Sequence, residues 1–305
     1  MTDWVVRTPA SSANLGAGFD VLGMALGLHA ETGIGDPPGG ATTVDPNHPA
    51  DVAFRRAGGT GSLWMRSPIP IGRGLGFSGA ARVGGAAAAA VQRSGPSVLD
   101  DPATRAEILA LTSELERHAD NAAASIYGGV VVAADHNVVQ VSLAFNPMVV
   151  VWVPNSATTS TEHSRGRLPD TVSRADAVFN VGRAAMFVAA CANGDVAALR
   201  AATEDRLHQQ VRLELVPESA AALDAALAAG AWAAWLSGSG PTIAAMCDPG
   251  RAEEIAAALP ASGHVKQLRI DHEGVIALGA SPGDGDGDDD VGGVVGGDVG
   301  GGPAD

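Results

Sequence analysis

The sequence predicts an α+β fold, on three observations. Short apolar runs of strand length recur at Trp4–Thr8, Met148–Val153 and Thr242–Cys247. Alanine-rich stretches too long for strands, such as Ala80–Val91 and Ala175–Cys191, lie between them. A glycine-rich turn, Pro70–Gly79, runs directly into the first of these stretches. Both element types occur in both halves of the chain, which is the pattern of an α+β protein.

Element by element, Trp4–Thr8 reads as a first strand and Pro9–Gly18 as a polar turn. Phe19–His29 reads as a second strand, and Thr32–Pro49, rich in Gly, Pro, Thr and Asp, as a loop. Asp51–Ala57 is a short helix and Ser62–Arg66 a strand. The glycine-rich turn then opens a helix to about Arg93. Pro102–Arg117 carries Ile108, Leu111 and Leu115 near helical spacing and forms the next helix. Gly129–Ala134 and Val138–Leu143 pair around Asp135-His136-Asn137, and Met148–Val153 is a central strand. Helices follow at Ala175–Cys191, Val196–His208 and Ser219–Ala229. Strands Trp232–Leu236 and Thr242–Cys247 flank a Ser-Gly loop; a helix at Arg251–Leu259 and a strand at Val265–Ile270 complete the pattern.

With 46% hydrophobic residues in 305, the chain can hold one large domain or two closely packed halves. The expected division is an N-terminal half, 1–147, a C-terminal half, 148–278, and a tail, 279–305. The tail is glycine and aspartate with few apolar residues and is expected to be disordered. Its Asp284–Asp288 alternation resembles a calcium loop, but Asp289 stands where such a loop needs glycine and Val295 where it needs glutamate.

No run approaches the ~18 apolar residues of a membrane span. Met1–Val5 shows no basic region leading into an apolar stretch, so a cytoplasmic protein is expected. Cys191 and Cys247 lie far apart and are expected to be buried free thiols. A net charge of −15 argues against nucleic acid as a partner. Lys266 is the only lysine, which excludes a Walker A loop.

Gly74, Gly76 and Gly79 let the backbone approach a ligand, and the amides opening the following helix make an anion site. Phosphate is the natural occupant. The same residues match GxGxxG, with Asp100 at about the distance of a ribose acid, but Pro68 and Pro70 interrupt the strand a dinucleotide fold requires. Tight helix packing alone is the third reading.

Three further clusters are polar. Pro9–Asp20 sets Asn14 and Asp20 among small residues. Glu114–Asn121 gathers Glu114, Glu116, Arg117, His118, Asp120 and Asn121 at a helix end. Leu236–Thr242 is a Ser-Gly loop. Singly, each reads equally well as a turn cap, a salt network or a hairpin loop.

Taken in succession, PASSANLGAGFD (9–20), GLGFS (74–78), ELERHADN (114–121) and SGSGPT (237–242) resemble the GHMP small-molecule kinases. Ser160–Arg165 before Leu168-Pro169, and Glu204–Arg212, resemble the homoserine kinase branch of that family. The resemblance covers about residues 4 to 278. It implies a two-lobed GHMP-kinase-like fold with the active site in the cleft between the halves.

The resemblance further implies ATP and Mg²⁺ as cofactors and homoserine as the partner, phosphorylated on its side-chain hydroxyl in threonine biosynthesis. Pro70, Gly72, Arg73, Gly74, Leu75, Gly76, Ser78 and Gly79 would wrap the triphosphate. Ser78 and Glu114 would hold Mg²⁺, with Glu116 as second choice. Asn14, Asp20, His118, Arg165 and Arg212 would bind homoserine, the two arginines on its carboxylate. Asp120, Asn121, Glu114 and Arg165 would serve catalysis, Asp120 and Asn121 by positioning the hydroxyl. A homodimer is usual for the family.

The loop departs from the family's GLGSSAA at Phe77 and Gly79, which removes a hydroxyl beside the phosphates and adds a ring. The stretch between Asp20 and the loop is also shorter than usual. Two competing readings are a GHMP kinase for another small carboxylate-bearing alcohol and a non-catalytic ligand-binding member.

Overall fold

The computed structural model describes residues 4–135, 137–155 and 164–279. The tail from residue 280, the Ser160–His163 part of the homoserine-kinase-like motif and His136 of the expected turn lie outside the described residues.

The described residues form two antiparallel sheets. In the larger, β1 (Trp4–Ala13) pairs with β2 (Leu22–Ile34), whose far end pairs with β4 (Leu63–Arg66) and, through it, β3 (Thr42–Thr43). The start of β2 pairs with β5 (Val130–Ala134), which continues to β6 (Asn137–Val141). In the smaller sheet β7 (Met148–Pro154) lies between β10 (Gly263–Leu268) and β9 (Ile243–Cys247), with β8 (Ala233–Leu236) outside β9. The strand β11 (Ile276–Gly279) returns to the larger sheet and pairs with β1.

The expected turn at Pro9–Gly18 begins later than the sequence suggests. β1 passes through Pro9 because the register shifts between Pro9 and Ala10, and a bulge tolerates a residue with no N–H to donate. The extension carries Ser11, Ser12 and Asn14 into the interior.

In the first half α2 (Phe77–Ser94) and α4 (Asp120–Tyr127) pack on the larger sheet, and α1 (Pro49–Arg56) and α3 (Pro102–Glu116) pack on α2. From Gly79 to Val91 every residue of α2 except Arg82 is buried. Alanine and glycine suit that position, because a helix touched on all sides leaves no room for long side chains.

In the second half lie α5 (Arg174–Asn193), α6 (Leu199–Ala202), α7 (Gln209–Leu213), α8 (Pro217–Ala228) and α9 (Ala252–Ala258). The single helix expected over Val196–His208 is broken. The Asp205 carboxylate accepts from the amides of His208 at 2.8 Å and Gln209 at 2.7 Å, so it caps a new helix rather than continuing the old one. By length and composition α5 is apolar enough to cross a membrane, although it carries Arg174, Asp176 and Arg183 and packs Phe187 and Cys191 into the core.

Period-two alternation in β7 joins two cores. Val149 and Val151 pack with Trp235 and Met246 into the main core, whereas Val150 and Trp152 pack with Leu236 and Ile243 into a smaller cluster that includes Ala222 and Ala226 of α8 and Ile255 of α9.

Candidate active site

The glycine-rich loop is pinned from below. Leu75 is fully buried, and its carbonyl accepts from the Ser11 amide at 3.2 Å. Ser237, at the end of β8, donates its hydroxyl to the Gly74 carbonyl at 2.6 Å. Gly74 has φ +79°, and a Cβ there would stand 2.4 Å from the Ser237 carbonyl oxygen. Gly76 is left-handed at φ +68°, and a Cβ on it would meet Ser11 Oγ at 2.0 Å. Only glycine allows this loop to lie back to back with the Ser237–Gly240 loop.

Above the loop opens a cavity of about 490 Å³. Pro70, Gly72, Arg73, Gly74, Gly76, Ser78 and Gly79 line it, together with Phe77, Glu116, His118, Asn121 and Gly238–Gly240. Leu75 lies beneath the loop instead. Gly76 caps α2 without a side-chain hydrogen bond, so the opening amides of α2 have no helical acceptor at the cavity wall. Arg73 turns elsewhere: its guanidinium donates to the backbone carbonyls of Pro154 and, at 3.3 Å, Asn155.

The opposite wall, Asp45–Pro49, belongs to a stretch the sequence marks only as loop. The Phe77 ring stands edge-on to the His48 ring, 5.8 Å between centroids, so the ring forms part of the wall. His48 caps α1, its Nδ1 accepting from the Ala50 amide at 3.2 Å. Burial lowers its pKa, against the opposing charges of Asp45 and Asp51.

Ser78 Oγ donates to Glu116 Oε1 at 2.6 Å, and the Arg82 guanidinium contacts both Ser78 and Glu116. Glu114, the first choice from the sequence, is placed elsewhere. It pairs with Arg56 at 2.7 Å with its side chain 65% exposed, whereas the Glu116 side chain is 10% exposed. The reason is helical geometry. Residues two apart on α3 diverge by about 200°, so only one of the two glutamates can face Ser78.

A second, narrow pocket of about 30 Å³ adjoins the first and shares His118, Asn121, Gly238 and Ser239 with it. Asn14, Asp20, Asp120, Arg165 and Arg212 line the rest, with Ala13. Residues singled out across two hundred positions of sequence therefore meet here. Asn14 donates to the Gly238 carbonyl at 2.9 Å and accepts from the Asp20 amide at 3.0 Å. Arg165 donates to both oxygens of Asp20, once at 2.9 Å.

Asp120 Oδ1 accepts from the Asn121 amide at 2.7 Å and the Asn121 side chain at 3.3 Å, and lies 2.8 Å from His118 Nδ1. Asn121 Oδ1 accepts in turn from Ser11 Oγ at 2.8 Å. The amide is thus locked at the junction of the two pockets.

Arg212 donates to the Gly238 carbonyl at 3.3 Å and to His208 Nδ1 at 3.1 Å. His208 Nε2 lies 2.9 Å from the Gly16 carbonyl, which can only accept, so Nε2 carries the proton and Nδ1 is free to accept. Burial lowers the His208 pKa. Burial, reinforced by Arg165, brings the Arg212 pKa down to about 10. Arg212 Nε is buried and has no partner among the described residues, which suits an anionic ligand.

Around the narrow pocket, Phe19, His208 and Ser11 support the site without having been singled out from sequence. The Phe19 ring stacks on His208 at 4.9 Å and supports both arginines, at 5.5 Å for Arg165 and 5.2 Å for Arg212. Their signal was position alone, inside motifs already noted. Among the described residues no group of three or more His, Cys, Asp or Glu could hold a metal by itself.

The family model described as GHMP kinases N terminal domain matches residues 46–129, and that described as GHMP kinases C terminal matches residues 187–265. The homoserine kinase of Moorella thermoacetica is 39% identical over 302 residues, covering 90% of this chain and 99% of its own length. That of Streptomyces avermitilis is 38% identical over 296 residues, covering 90% and 95%. The crystal structure of homoserine kinase from Cytophaga hutchinsonii superposes with a TM-score of 0.77 at 25% identity, over 91% of this chain and 98% of that one. An L. major mevalonate kinase in complex with R-mevalonate shares the fold at a TM-score of 0.61 and 12% identity. Matched in both its parts, and related along nearly its whole length to such enzymes, the chain belongs to the GHMP kinase family.

Proposed function

We propose that this chain transfers the terminal phosphoryl group of ATP to the side-chain hydroxyl of L-homoserine, giving O-phospho-L-homoserine and ADP. One observation carries the reading: a phosphate-type cavity and a narrow pocket bearing two arginines share a wall at His118, Asn121, Gly238 and Ser239. A terminal phosphate in the first would face a hydroxyl in the second. Residues 1–147 and 148–278 act as the two halves, since the Ser237–Gly240 loop of the second backs the glycine loop of the first.

Homoserine is a zwitterion. Arg165 and Arg212 suit its carboxylate, and Asp20, with Asn14 and His118 beside it, suits its ammonium. The hydroxyl oxygen attacks the terminal phosphorus while the bond to the bridging oxygen breaks, ADP leaves, and the hydroxyl proton passes to an oxygen of the transferred phosphoryl group. Asp120 Oδ1 is already engaged by His118 and Asn121, so Asp120 positions Asn121, and Asn121 orients the hydroxyl. Such transfer depends on alignment and charge stabilisation more than on a strong base.

Mg²⁺ fits the donor chemistry at Ser78 and Glu116, two oxygen ligands at the mouth of the phosphate cavity. When bound, the ion would neutralise charge on the phosphates. The glycine loop would hold the triphosphate, with Ser78 replacing Glu116 by phosphate oxygens as hydrogen-bond partners.

A cytoplasmic setting is supported by the free thiols Cys191 and Cys247. A homodimer is supported by the apolar face of α5, where Val178 and Val181 are 66% and 70% exposed. Light scattering that reads only the 30.4 kDa monomer would exclude it.

ADP release measured with and without homoserine tests the function. ADP formed only with homoserine is expected. Turnover only with another hydroxy acid, or none despite nucleotide binding, overturns the proposal.

A further inference from the structure

Arg82 is the one residue between Gly79 and Val91 of α2 that is not buried, and it lies one helical turn beyond Ser78. Its guanidinium contacts both Ser78 Oγ and the Glu116 carboxylate. Its side chain is 20% exposed, and its Nε is buried without a partner among the described residues. A cation therefore already stands at the pair of oxygens to which the proposed function assigns Mg²⁺.

We propose that Arg82 is a built-in counter-ion which occupies the Ser78–Glu116 site until nucleotide arrives, and so makes divalent-metal binding depend on the nucleotide. The inference rests on reading Ser78 and Glu116 as the metal pair. Glu116 and Arg82 neutralise each other in a half-buried setting. A bare divalent ion added there would meet a guanidinium cation with a single carboxylate to balance both, and charge out of water is costly when uncompensated. A triphosphate changes the balance. It brings several negative charges, and a guanidinium released from Glu116 is a ready bidentate partner for phosphate oxygens. His118 Nε2, 3.9 Å from Glu116 Oε2, is the other basic group at this carboxylate.

The test is Mn²⁺ binding followed by electron paramagnetic resonance, with and without a non-hydrolysable ATP analogue, on the unmodified chain, Arg82→Met, Arg82→Lys and Glu116→Gln. Without nucleotide, Arg82→Met should bind Mn²⁺ roughly tenfold tighter or more, because the competing positive charge is gone. Arg82→Lys, which keeps the charge, should bind as weakly as the unmodified chain. With the analogue, the difference between Arg82→Met and the unmodified chain should shrink to within about threefold. Equal Mn²⁺ affinity in Arg82→Met and the unmodified chain, with Glu116→Gln still weakening binding, overturns the role of Arg82 and leaves the metal pair standing. Mn²⁺ binding untouched by Glu116→Gln overturns the metal pair and the Arg82 proposal together. Circular dichroism confirms folding, and Arg82→Gln substitutes for the methionine variant if that one fails to fold.

Discussion

Asp20 and Arg165 face each other across the narrow pocket, one of their two hydrogen bonds measuring 2.9 Å, although 145 residues separate them in sequence. Both side chains remain partly exposed. An acid and a base held at contact in a half-open site can exchange their mutual pairing for two pairings with a zwitterion, Arg165 to its carboxylate and Asp20 to its ammonium. Phe19, packed beneath the guanidinium of Arg165, keeps the base in place while the acid is released.

Asp20→Asn, Arg165→Met and Arg212→Ala should therefore each raise the KM for homoserine by about 10- to 100-fold, the range for a charge-assisted hydrogen bond lost from a binding site. The KM for ATP should stay within about twofold, since the narrow pocket adjoins the phosphate cavity without forming its floor. Steady-state kinetics with each substrate varied in turn decides the matter. A fall in kcat at unchanged homoserine KM would contradict the assignment.

The two glutamates of α3 offer a sharper contrast. Glu116→Gln should lower kcat by about 100- to 1000-fold, as expected when an electrostatic contact to the transferring phosphate region is lost. Glu114→Gln should leave kcat within about twofold, because its partner Arg56 is at the surface and such pairs contribute little. The reverse ranking would restore Glu114 as the metal ligand and undo the geometry argued from Ser78.

Much of this was legible from residues alone, and what was not has physical causes. The start of α2 could be read because glycines requiring left-handed backbone mark it, and the residue types of the narrow pocket could be read from their motifs. Motif spacing could not separate Glu114 from Glu116, since that choice depends on how α3 is rotated against α2. The helix α4 was missed because Asp120 and Asn121, polar residues that read as a helix end, instead open a new helix, Asp120 accepting from the Asn121 amide. The strand β11 was missed because four residues next to the tail carry too little pattern. Arg82 was invisible as a site residue because nothing in an alanine-rich helix says which face an arginine near its start takes.

Cys191 and Cys247 should be inert in the folded chain. Burial pushes the Cys191 thiol up to about 12, and burial with the nearby Asp248 pushes Cys247 up to about 11. Both are buried, so at pH 8 neither the thiolate nor access is provided. Ellman's reagent should detect no thiol in the native protein and both in denaturant. Rapid native reaction would show that one of the two packing sites opens readily.

Asp271 should couple stability to acid. Its carboxylate lies 2.7 Å from His29 Nε2 and accepts from the amides of Glu273 at 3.0 Å and Gly274 at 2.8 Å, seating the turn that leads into β11. Burial pushes its pKa up, but the bonds from His29, Gly274 and Glu273 and the charge of His29 outweigh it, so the carboxyl lies below the ordinary 3.8. A depressed carboxyl stabilises the fold fully above its unfolded value and loses that contribution as pH falls through the folded one. Asp271→Asn should therefore cost about 1–3 kcal/mol at pH 7, the penalty for unsatisfied buried donors. The gap to the unmodified chain should hold down to about pH 4 and narrow below it. Urea denaturation at pH 7, 5 and 3.5 measures this, and a gap no smaller at pH 3.5 than at pH 5 would show that the charged form of Asp271 does not support the turn.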